Sequence, residues 1–177
     1  MELIYHNKTK SHYSRTEQMD TLSFTPHDHS ACIADAVRTA EQTCRESGLR
    51  LTAQRKRVLE ILLSGHRAMG AYDILDILKE EGQTAQPPIA YRALDFLVQH
   101  GFAHKVERLN AFIACAHPGE DHAPAFLICS DCRRVAETPS APARALLAEA
   151  AAEAGFRIDT AVIEAVGQCP DCAEPAA

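Results

Sequence analysis

The chain has no tryptophan, which by itself excludes little. Other absences exclude more. No stretch approaches the roughly 18 consecutive apolar residues of a membrane span, so no membrane partner is expected. Residues 1–30 are polar and lack the apolar segment of a secretory signal. No His-Glu-x-x-His pair and no deaminase His-x-Glu accompanies the cysteines, which removes two common kinds of zinc enzyme. There is no internal repeat. Positive charge is scarce as well: 18 Lys and Arg stand against 24 Asp and Glu, a net charge of −6. That balance argues weakly against nucleic acid, but it is uneven. Residues 48–108 hold nine basic and seven acidic side chains, so this stretch is +2 and the remainder −8. A mildly basic module joined to an acidic one fits a DNA reader with a separate regulatory or dimerisation part.

What the chain does have is seven cysteines. With no secretory signal, a reducing cytoplasm is expected, where paired cysteines serve as metal ligands more than disulfides. Cys129/Cys132 and Cys169/Cys172 form two Cys-x-x-Cys pairs. Together they can supply the closed tetrahedral thiolate shell of structural zinc, with Zn–S bonds of about 2.3 Å. The alternatives are buried thiols or a redox pair at Cys169-Pro-Asp-Cys172. Only five residues follow Cys172, too few for a helix that would activate it.

Periodicity sets out the elements. Residues 31–47 read as a helix with Ile33, Ala36, Val37, Ala40 and Cys44 on one stripe. Thr52 is placed to cap a second helix with Val58, Leu59, Leu62 and Leu63 inward and Arg55, Lys56 and Arg57 outward. Residues 71–81 form a third, with Ile74, Leu75 and Leu78 apolar. Pro87-Pro88 opens a fourth, running to about residue 100, with Tyr91, Leu94, Leu97 and Val98 as its expected buried face. Residues 102–107 and 111–115 read as strands around a turn at Leu109-Asn110. Helices followed by a two-stranded hairpin is the order of a winged helix-turn-helix. Beyond a linker at 118–121, strands are expected at 125–129, 134–137 and 157–166, with a helix at 142–154. The predicted architecture is α+β: a disordered extension (1–30), a winged-helix domain (31–116), a hinge (117–124) and a small α/β dimerisation domain stapled by the four cysteines (125–177).

A second donor set is His104, Cys115, His122 and Glu137. Drawn from both domains, it would let one ion clamp them in a fixed orientation. A thiolate with imidazoles suits Zn2+ better than Fe2+, Mn2+ or Mg2+. Four protein ligands leave no place for a catalytic water, so no enzyme and no small-molecule substrate is expected. Each residue also has a bland reading, and His117 competes as a ligand. His27, His29 and Cys32 form a further candidate set or simply lie in a mobile tail. For DNA, Arg92 sits one turn into the fourth helix, where an arginine can reach a guanine edge. Tyr72 could pack on a base or sugar, or be a partly buried aromatic. Arg55, Lys56 and Arg57 could contact phosphates.

With these residues in place, the chain resembles the ferric-uptake-regulator (Fur) family and, within it, the zinc-uptake regulators. Gly48-Leu49-Arg50-Leu51-Thr52-Ala53-Gln54-Arg55, Gly70-Ala71-Tyr72-Asp73-Ile74-Leu75 and Pro87-Pro88-Ile89-Ala90-Tyr91-Arg92-Ala93-Leu94 carry the likeness in the helices. Gly101-Phe102-Ala103-His104-Lys105-Val106-Glu107 carries it in the wing, and Ile163-Glu164-Ala165-Val166-Gly167-Gln168-Cys169 before the last pair. The resemblance implies two zinc ions per chain. One is structural on Cys129, Cys132, Cys169 and Cys172; the other is regulatory on His104, Cys115, His122 and Glu137. It implies base contacts by Tyr72 and Arg92, and a homodimeric repressor of zinc-uptake genes on double-stranded operator DNA. The chain departs from the family pattern at Ala53, where Pro is usual, and at Ile89-Ala90, where Thr-Val is usual. Alternatives are a family member answering to iron or peroxide, a zinc enzyme, or a zinc-stapled adaptor without a DNA role.

Overall fold

A computed structural model describes residues 29–65, 67–83, 86–118 and 122–173, with side chains from residue 33 onward. Of the extension expected to be disordered (1–30), residues 1–28 lie outside the described residues and residues 29–30 already belong to the first helix, which starts two residues earlier than expected; the side chains of His27, His29 and Cys32 also lie outside the described residues. Four helices come first: α1 (His29–Glu46), α2 (Ala53–Leu63), α3 (Ala71–Glu80) and α4 (Pro87–Gln99). A hairpin of β1 (Ala103–Val106) and β2 (Ala111–Ala114) follows, then β3 (Pro124–Cys129), β4 (Val135–Pro139), α5 (Ala141–Glu153) and β5 (Ile163–Gly167). Among the described residues, no helix is long and apolar enough to cross a membrane.

Local chemistry sets the helix ends. Thr52 Oγ1 accepts from the Arg55 N–H at 3.3 Å, capping α2 as expected. Asp73 accepts from the Gly70 N–H at 3.0 Å at the start of α3. Pro87 and Pro88 open α4, where no amide donor is needed. The first core gathers Ala40, Cys44, Val58, Leu62, Ile74, Leu78, Leu94, Leu97 and Phe102. Truncating one such leucine to alanine costs about 2–5 kcal/mol.

The buried face of α4 differs from the expectation. It consists of Ala90, Ala93, Leu94, Phe96 and Leu97, while Tyr91 and Val98 are exposed. The helix is rotated so that Ala90 and Ala93 are buried, which leaves Tyr91 facing outward. Leu63 is only partly buried, and Ile61 takes the inward position instead. The last strand is also shorter than expected. Residues 157–162 are not in a strand, because only 163–167 find a partner, in β3.

The second sheet has the order β4-β3-β5, antiparallel between β3 and β4 and parallel between β3 and β5. Its register explains how the two halves meet. Val135 faces Ile128, Glu137 faces Phe126, and Glu164 also faces Phe126. Side chains alternate along a strand, so Phe126, Ile128, Val135, Glu137 and Glu164 share one face. On the hairpin, His104 pairs with Ile113 and shares its face of the strand with Val106; Cys115 lies two residues past Ile113. These two faces meet: Val106, Ile113, Phe126, Ile128 and Val135 form a second buried cluster. The connector between α2 and α3 adds a seam. Met69 bridges to Phe112 of β2, and Arg67 bridges to Arg134 just before β4.

Candidate metal centres and nucleic-acid face

The four paired cysteines converge. Cys129, Cys132, Cys169 and Cys172 offer sulfurs that all lie within 4.8 Å of one another. Cys129 ends β3, and the turn after it closes with Arg133 in the left-handed region at φ 59°. The Cys129 N–H then donates to the Arg134 carbonyl at 2.9 Å and the Arg133 N–H to the Cys129 carbonyl at 3.1 Å. Cys132 and Cys169 sulfurs are 3.7 Å apart. A tetrahedral shell with bonds of about 2.3 Å has S···S edges of about 3.8 Å, so the spacing fits zinc.

The electrostatics agree. Amides of Cys132 and Cys169 hold the Cys129 thiol down to about 6. The Arg134 guanidinium lowers Cys132. The Cys172 thiol is pushed up to about 12, by hydrogen bonds with Cys169 and then Cys132. A divalent cation binds cysteines as thiolates and so takes the place of their protons.

The second set converges too. His104, Cys115, His122 and Glu137 place one donor atom each within 4.8 Å of the others. His122 Nε2 lies 2.6 Å from Glu137 Oε1 and 3.5 Å from Cys115 Sγ. The Ala116 N–H donates to Glu137 Oε2 at 3.0 Å and so aims the carboxylate. Glu137 stands in the middle of β4, not at a strand end as expected. His104 Nε2 is buried and makes no hydrogen bond; the nearest carboxylate oxygen is 3.7 Å away. An unpaired buried ring nitrogen costs about 1–3 kcal/mol. A cation among these donors would satisfy it. Burial lowers the His104 pKa, partly opposed by Glu137, which favours the neutral form a metal requires. His117 stands beside this set, with its ring 6.1 Å from that of His122.

Sequence reasoning missed Glu164. Its carboxylate accepts from the Glu107 N–H at 2.7 Å and the Arg108 N–H at 2.9 Å, joining β5 to the tip of the hairpin. A signal existed: an acidic residue sits in a strand whose neighbours are apolar.

On the outer face, Arg92 is exposed on α4 and Tyr72 is 64% exposed at the start of α3. Tyr72 and Tyr91 line an open groove of about 690 Å³ with Asp95, Val98, Lys105 and Asn110. The three cations of α2 are more engaged than expected. Arg55 stacks on Phe96 at 3.6 Å and donates to the Arg50 carbonyl. Lys56 pairs with Glu41 at 2.7 Å, and Arg57 pairs with Glu60 and Glu81.

Helices closed by a wing, with a donor set shared between that wing and a sheet domain, define a winged-helix protein joined to a sheet domain whose cysteines are placed to hold a metal. The model of the ferric uptake regulator family matches residues 46–166. The zinc uptake regulation protein of Escherichia coli (strain K12) is 40% identical over 141 residues, covering 79% of this chain and 82% of that protein; its Shigella flexneri namesake matches equally. A zinc uptake regulator complexed with zinc and DNA has a TM-score of 0.74 at 38% identity, covering 79% of this chain and 94% of the other. Holo XcZur has a TM-score of 0.70 at 38% identity, covering 82% and 98%. The chain belongs to the ferric uptake regulator family and stands among its zinc uptake regulators.

Proposed function

We propose that the chain is a zinc-responsive repressor that binds operator DNA as a homodimer, with zinc as co-repressor, and controls zinc-uptake genes. Each chain takes two zinc ions, a structural one at the four cysteines and a regulatory one at His104, Cys115, His122 and Glu137. One observation carries this reading: the second donor set draws His104 and Cys115 from the wing side and Glu137 from the sheet domain, all within 4.8 Å. Zinc bound there supplies a cross-link between the two modules.

The chain's own residues do the rest. Glu137 is aimed by the Ala116 amide, and burial shifts His104 toward its neutral form. Val106 and Ile113 seat the wing on Phe126, Ile128 and Val135. With the wings fixed, two copies present their α4 helices at half-sites about 34 Å apart, one helical turn of DNA. Arg92 and Tyr72 read bases. Arg55 and Lys56 contact phosphates; the Lys56–Glu41 pair is open to solvent, which screens it, so it gives way readily. A state preference of 100-fold by the ion supplies about 2.7 kcal/mol of coupling.

Dimerisation is supported by α5, which buries no residue in the single chain. Leu146, Leu147, Phe156, Val162 and Val166 are exposed on the same domain. A helix this apolar is expected to pack against a second copy. The test of the regulatory site is Cys115→Ser in a gel-shift titration. Zinc-dependent DNA binding should be lost while the dimer stays folded; unchanged zinc dependence would refute the assignment.

A further inference from the structure

Arg134 ties the two cysteine pairs together. Its Nε donates to Cys132 Sγ at 3.4 Å, and its Nη2 donates to Cys169 Sγ at 3.4 Å. One guanidinium therefore reaches one sulfur of each pair, from cysteines 37 residues apart in the chain. Asp171, which lies within the second pair, anchors the same Nη2. The Arg134 side chain is only 25% exposed. Cys129 has a different partner: it accepts from the Cys169 N–H at 3.4 Å. Among the described residues, no other cationic side chain reaches these sulfurs.

Four thiolates around a divalent cation leave two negative charges on the shell. That charge resides largely on sulfur, where it drives attack on electrophiles and on protons. N–H···S bonds withdraw it, and partners of metal ligands tune metal retention by about 10–100-fold. Arginine suits the task because its rigid fork sends donors to two sulfurs at once; lysine is a single point charge.

We propose that Arg134 is a positioning residue that screens Cys132 and Cys169, keeping the four-thiolate zinc chemically inert and slow to exchange. The proposal rests on the zinc reading of this cluster. It accounts for how one chain could hold a permanent ion beside an exchangeable one. The residue also joins the module junction, since its backbone bridges to Arg67.

The experiment compares the full chain, Arg134→Ala and Arg134→Lys, each loaded with zinc. Excess iodoacetamide is added, and a sulfur–carbon bond forms at each cysteine as iodide leaves. Mass spectrometry follows modification at each position, and a chromogenic chelator follows released zinc. In Arg134→Ala, Cys132 and Cys169 should react about 10-fold faster, with Cys129 little changed and zinc release accelerated in step. Arg134→Lys should recover part of the protection. Unchanged rates at Cys132 and Cys169 overturn the proposal. So does equal acceleration at all four cysteines, which marks a loosened fold, and so does complete rescue by lysine. If the parent chain itself retains no zinc on dialysis and all four cysteines react as free thiols, the zinc assignment fails and the proposal goes with it.

Discussion

At the scale of single residues, His104 is the most telling. Its Nε2 is buried, makes no hydrogen bond and faces Glu137 and His122. Burial lowers its pKa from the ordinary value of 6.5. The sign follows from linkage: an open or unfolded chain takes up a proton near pH 6.5 that the closed form excludes. The closed form is therefore fully favoured above that pH and loses ground as pH falls through the depressed value. Zinc affinity at this site, measured by competition with a chelating dye, should weaken steadily from pH 7 to pH 5.5. A flat profile would mean that His104 is not a ligand. Cys115, His122 and Glu137 could be listed from the sequence as donors, yet nothing in their spacing separated them from His117. The structure separates them by placing His117 beside the group. Arg134 was legible only as a basic residue after a cysteine pair, because its hydrogen bonds to Cys132 and Cys169 depend on a chain reversal that sequence does not display.

At the scale of elements, strand register determines the arrangement. Alternation places His104 and Val106 on one face of β1, and pairing puts Ile113 opposite His104. The sequence supports both short strands, and the helix caps at Thr52 and Pro87-Pro88 were legible because cap chemistry is local. Two features were not. Tyr91 and Val98 look like core residues by period, but Ala90 and Ala93 take the inward positions. The start of β5 was read too early because residues 157–162 place β-branched Ile158, Thr160 and Val162 at alternate positions without a strand to pair with. Glu164 joins β5 to the hairpin tip through two backbone amides, a link independent of metal. Charge-assisted bonds of this kind contribute more than neutral ones. Glu164→Ala should raise the zinc concentration for half-maximal DNA binding about 10-fold, or about 1.4 kcal/mol. Fluorescence anisotropy of a labelled duplex over a zinc titration reads this directly. An unshifted midpoint would make the contact incidental.

At the scale of the whole molecule, a basic reader and an acidic sheet domain share a buried seam and a donor set. The sheet domain exposes apolar residues along α5 and β5 that a single chain leaves uncovered; Leu146 is 70% exposed. Leu146→Asp should therefore yield monomers in analytical ultracentrifugation with the helical signal retained, and a dimer of parent mass would place the interface elsewhere. Cys132→Ser should unfold the sheet domain or release it from the dimer, because structural zinc contributes folding energy directly. Circular dichroism with sizing checks that outcome, and a stable folded dimer would contradict it. On this reading an exchangeable ion joins wing to sheet domain and so determines DNA competence. Its most direct test is equilibrium dialysis against graded zinc buffers, with zinc per chain and retention of a duplex selected from a random pool measured in the same samples. About one zinc per chain should be held throughout and a second gained reversibly, with duplex retention rising only as the second binds. Duplex retention at full strength with the second zinc removed would contradict it.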